Sequence, residues 1–77
     1  MKEFGAIVRF HRKQAGLSRI ELANIAGLGK TVIYDIENGK DTIRFNTMLK
    51  VLNSLNITVS IDSQLMDQYK VVDNEEG

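Results

Sequence analysis

The stretch from Leu17 to Gly39 holds two short helical patterns divided by glycine, and it constrains the chain more than any other segment. Ser18-x-x-Glu21 is a capping box: the serine oxygen accepts a free backbone N–H, and the glutamate reaches back to the serine N–H. Leu17 and Leu22 flank it at the positions of a hydrophobic staple. Two capping signals at one place start a helix at Ser18. Leu22, Ala23 and Ala26 form its inner face, and the small alanines let another helix come close. Gly27 takes the turn, where a positive φ costs glycine little. A second helix spans residues 30–38, with Gly39 as its stop.

That second helix is two-sided. Ile33 and Ile36 face inward with Val32 beside them, while Thr31, Tyr34, Asp35 and Asn38 fall at i, i+3, i+4 and i+7 on the outside. On an ordinary surface helix such a stripe is only solvated. In second place after a glycine turn it is a candidate base-reading face, because a helix-turn-helix lays its second helix in the major groove of DNA.

Around this centre the pattern predicts further elements. A first helix covers residues 3–15, with Phe4, Ile7, Val8, His11 and Ala15 as its apolar stripe and Gly16 after it. His11, alone at the stripe's edge, reads as a packing residue and not a ligand. Asn46 is expected to cap a fourth helix running to about Leu55, with Ile43 and Phe45 tucked into the core before it. Ile57, Thr58, Val59, Ser60 and Ile61 alternate apolar and polar with period two, which predicts a β-strand. No second strand exists in the chain to pair with it, so pairing with the same strand of a second copy is expected, giving a homodimer. The expected class is therefore all-α, a domain of four to five helices with one short C-terminal strand shared across a dimer. The expected division is a domain at 1–62 and an acidic, flexible tail at 63–77, where Leu65, Met66 and Tyr69 suggest no more than a helical turn.

Composition narrows the function classes. Seventy-seven residues make one small domain. The net charge is zero, but residues 1–62 carry nine Lys and Arg against six acids, and residues 63–77 carry one against four. A mildly basic body suits a nucleic-acid partner. One histidine, no cysteine, no phosphate-cradling glycine loop and no carboxylate cluster leave no catalytic constellation, no metal site and no cofactor site. No apolar run reaches the ~20 residues of a membrane span. Without a signal-peptide pattern at its start, the expected location is the cytoplasm.

These residues resemble the Cro/repressor-type helix-turn-helix proteins, and within them the HipB-like antitoxins. The general resemblance rests on Leu17-Ser18, Glu21-Leu22-Ala23, Ala26-Gly27, Ile33, Ile36 and Glu37-Asn38-Gly39; the specific part rests on residues 43–57 running into the strand. The resemblance implies a repressor that binds a near-palindromic double-stranded operator as a dimer and holds a HipA-like kinase toxin, repressing their shared operon. A repressor with no toxin partner, or a toxin neutraliser with weak DNA binding, is the alternative. It also implies positions. Arg19 touches phosphate, Lys30, Thr31, Tyr34 and Asp35 face bases and phosphates, and Lys40 meets a backbone phosphate. Arg12 and Glu37 are the pair that ties the first helix to the third. The chain departs from the family where Arg19 replaces the usual glutamine, where Gly29 replaces a serine or threonine cap, and where Asp35 sets an acid on the DNA face.

Overall fold

A computed structural model describes residues 1–76 as five helices in the order α1 (Lys2–Gln14), α2 (Arg19–Ala26), α3 (Lys30–Glu37), α4 (Phe45–Ser54) and α5 (Met66–Glu76). Local chemistry sets the boundaries of α2. Ser18 Oγ accepts the Glu21 N–H at 3.0 Å, and Glu21 Oε1 accepts the Ser18 N–H at 2.8 Å. Those Ser18 hydrogen bonds also hold the Glu21 carboxyl below its ordinary range. At the other end the chain turns at Gly27, with φ 71°, and the Leu28 N–H donates to the Ala23 carbonyl at 2.8 Å. This is the left-handed stop that a side chain would disfavour.

The core is Val8, Leu22, Ala23, Ile33, Ile36, Val51 and Leu52, with Phe4, Leu17, Leu28, Val32, Ile43, Leu55 and Ile57 packed around it. α1 packs on α3, and α2 packs on both α3 and α4. α1 does not bury the whole stripe expected of it. Gly5, Val8 and Arg12 are the buried residues, while Ile7 and Ala15 are exposed. The reason lies at Gly5. A Cβ there would collide with the Ile36 carbonyl oxygen and sit 2.9 Å from that of Glu37, so the bare glycine lets α1 lie directly on the end of α3. His11 donates from Nδ1 to the Ile7 carbonyl at 2.7 Å and meets the Phe10 ring edge-on at 5.5 Å.

Four expectations change C-terminal to α3. Arg44, not Asn46, is the N-cap of α4, and no side chain caps that end. Because the helix begins two residues earlier, Phe45 is its first residue and is 66% exposed, while Ile43 alone packs on the core. Residues 57–61 form no strand among the described residues. Asn56, with φ 58°, turns the chain out of α4, the Ile57 N–H donates to Leu52 at 2.9 Å, and an extended but unladdered segment follows. A strand needs a second strand for its N–H and C=O groups, and one copy of this chain supplies none. The all-α class stands, without the strand. The acidic segment is helical from Met66 to Glu76, where no glycine or proline interrupts it. α5 does not join the packed helix pairs, and Leu65, Tyr69, Val71 and Val72 are exposed.

Candidate nucleic-acid interface

The exposed side of the α2–α3 unit is built on a fully buried anchor. Ile33 and Ile36 are at most 1% exposed, so α3 cannot rotate without opening the core. Beside them lies a charged anchor. Arg12 donates from Nε to Glu37 Oε2 at 2.6 Å and from Nη2 to Oε1 at 3.0 Å, and its Nη1 donates to the Leu17 carbonyl at 2.8 Å. Burial alone would raise the Glu37 carboxyl. The hydrogen bond and charge of Arg12, followed by those of Arg19, outweigh it and hold the group below its ordinary value. The hydrogen bond to Glu37 in turn raises Arg12 against the cost of its burial. No buried polar side-chain atom among the described residues lacks a partner.

On this base, Arg19, Lys30, Thr31 and Tyr34 line one open cleft of about 480 Å³, together with Arg12, Ser18 and Ile20. Lys30 and Thr31 are exposed in the first turn of α3, and Tyr34 is 53% exposed one turn later. Arg19 has a position that its spacing in the sequence does not reveal. Its Nε donates to Glu37 Oε1 at 3.1 Å, and its guanidinium carbon lies 5.6 Å from the centre of the Tyr34 ring.

The other two members of the outer stripe are engaged within the helix. Asn38 donates from Nδ2 to the Tyr34 carbonyl at 2.7 Å, which closes the end of α3. Asp35 Oδ2 lies 3.5 Å from Lys40 Nζ, so the acid on this face has a cation beside it. Asp35 and Lys40 line a second, smaller cleft with Thr42, Arg44 and Thr47. Arg44 and its two threonine neighbours extend the polar face onto the start of α4. Sequence reasoning missed them, although a basic residue directly ahead of a helix was a readable signal. At the opposite end, Gly29 starts α3 with no side-chain cap.

Residues 8–61 match the helix-turn-helix family. The chain belongs to that family. Over 59 residues it is 41% identical to an uncharacterised HTH-type transcriptional regulator, y4mF, of Sinorhizobium fredii, covering 77% of this chain and 78% of that protein. It is 30% identical over 76 residues to the ImmF control region 10 kDa protein of Bacillus phage phi105, covering 99% of this chain and 80% of that one. Among solved structures, HipB in a HipA–HipB–O2–O3 complex aligns with a TM-score of 0.74 at 25% identity, over 82% of this chain and 89% of that one. HipB in complex with an O4 20mer aligns with a TM-score of 0.73 at the same identity and coverage. The resemblance to HipB-like proteins thus extends from the motif to the arrangement of the helices.

Proposed function

We propose that this helix-turn-helix protein is a cytoplasmic, sequence-specific DNA-binding repressor that acts as a dimer. The observation that carries this reading is the face of α3: Thr31 and Tyr34 stand exposed in one cleft with Arg19 and Lys30, on a helix whose other side is locked by Ile33 and Ile36. In this reading Thr31 and Tyr34 meet base edges. Lys30, Lys40 and Arg19 meet phosphates, Asp35 tempers Lys40, and Asn38 acts through the end of the helix. Two recognition helices would enter successive major grooves about 34–36 Å apart, on a near-palindromic operator. Affinity from basic side chains at phosphates falls steeply with salt. Fluorescence anisotropy with the duplex upstream of the chain's own gene tests the reading: binding at low salt that weakens as salt rises supports it, and no binding at low salt ends it.

The dimer is proposed to form through residues 57–61. Val59 and Ile61 are exposed on an extended segment, next to an apolar groove that includes Ile7, Phe45 and Met48. Structural similarity to HipB in its complex with HipA supports a second proposed partner. In this finer reading the chain holds a HipA-like kinase toxin and represses the operon they share. Co-purification with the product of the adjacent gene tests it, and a gene with no kinase-like neighbour points instead to a repressor that acts alone.

A further inference from the structure

Arg19 is the outermost link of a chain of contacts that begins in the core. The Leu17 carbonyl and the Glu37 carboxylate hold Arg12; Glu37, whose side chain is 1% exposed, also holds Arg19; and the Arg19 guanidinium lies over the face of Tyr34. Each link up to Arg19 is fixed by a charge-assisted hydrogen bond, and the first two arginine–carboxylate bonds are buried. Tyr34 is half-exposed on the outer side of α3. A cation within about 6 Å of a ring centre is attracted to its face. The planar fork of arginine can take the carboxylate at Nε and still present its flat side to the ring, which neither lysine nor glutamine does.

We infer that Arg19 is a positioning residue for Tyr34: by bridging buried Glu37 to the tyrosine ring it sets the ring's orientation, and with it the base preference at the pair Tyr34 meets. This inference rests on the proposed DNA binding and deepens it. It separates Arg19 from the role of a plain phosphate contact, which would strengthen binding to every sequence alike. The remaining guanidinium N–H groups stay available for a phosphate, so the two tasks are compatible.

The test starts from a pool of randomised 20-base-pair duplexes. The full chain selects its preferred sequence, and anisotropy then measures the wild type, Arg19→Lys, Tyr34→Leu and the double variant on that duplex and on single-pair changes of it. Arg19→Lys keeps the charge but loses the fork. The expected result is a loss of about fivefold in discrimination, confined to the pair or pairs that Tyr34→Leu also flattens, with the salt slope unchanged. In the Tyr34→Leu background Arg19→Lys should change no preference further. An even loss of affinity across all duplexes, or preferences that stay as in the wild type, overturns the inference while leaving DNA binding intact. If the wild type enriches no sequence, the sequence-specific reading itself falls, and the role of Arg19 falls with it. Thermal melts of the three variants confirm that each is folded, since both positions are partly exposed.

Discussion

At the residue scale, Glu37 matters most. It is a buried carboxylate shared by two arginines, one from α1 and one from α2, while it sits at the end of α3. Glu37→Gln leaves Arg12 buried beside a neutral amide. Removing one partner of a buried ion pair costs about 3–5 kcal/mol, and the amide's surviving hydrogen bonds put this variant near about 3. Urea unfolding should show that loss as a lower midpoint. The pH dependence has a definite sign. The folded carboxyl lies below its ordinary value of 4.5, so its contribution is complete above that value and is lost as pH falls through the folded one. The wild type should therefore lose stability as pH falls below 4.5, and the Gln variant should show a flatter profile there. Arg12 and Glu37 could be matched in the sequence through the family's pattern. Arg19 on the same carboxylate could not, because nothing in a linear spacing of 18 residues shows which turns will meet.

At the element scale, the start of α2 and the seat of α1 differ in how legible they are. The capping box and glycine turn need only neighbouring residues, and both form where the pattern places them. Ser18→Ala removes the acceptor for the Glu21 N–H and should cost about 1 kcal/mol, read as a lower melting temperature. Gly5 is harder to read, since a glycine inside a helix usually marks only lost propensity. Gly5→Ala should gain about 0.5–1 kcal/mol of helix propensity. Against that, the new methyl meets backbone carbonyls of α3 that cannot swing aside, and overpacking of this kind costs about 1–3 kcal/mol. The packing cost prevails, so the variant should be less stable than the wild type in a melt. Phe45 and Asn46 are hard to place for a related reason: α4 starts two residues earlier than a cap at Asn46 implies, so both residues take their directions from the helix and not from the loop before it.

At the scale of the whole molecule, the chain is longer than its core. It measures 45 × 22 × 22 Å, and its radius of gyration of 15.3 Å exceeds the roughly 11–12 Å of a compact domain this size. α5 accounts for the excess, since it lies outside the packed helix pairs. A helix of 11 residues without tertiary packing is marginal in water, where about 12–15 are needed. Amides of α5 should therefore exchange with solvent far faster than those of α1 to α3, and equal protection would mean that α5 packs on something in solution. The segment at 57–61 belongs to this scale too. Val59→Pro removes one N–H donor from any ladder formed there. If the proposed pairing holds, sedimentation should show the variant shifted toward monomer; an unchanged dimer would remove the strand as its cause.

What the sequence determined by itself is everything that depends on a few consecutive residues: the cap at Ser18, the turn at Gly27, the two-sided pattern of α3, and so the helix-turn-helix unit. Such features rest on hydrogen bonds and backbone angles reaching no more than about five residues along the chain. What only the tertiary structure decided is how distant residues share a site. It brought Arg19 to Glu37 and Tyr34, set Lys40 against Asp35, and turned Phe45 outward. Those outcomes follow from the angles at which packed helices meet. Those angles are set by the volumes of Val8, Leu22, Ile33 and Ile36 and the missing side chain of Gly5 acting together, and no local pattern encodes that sum.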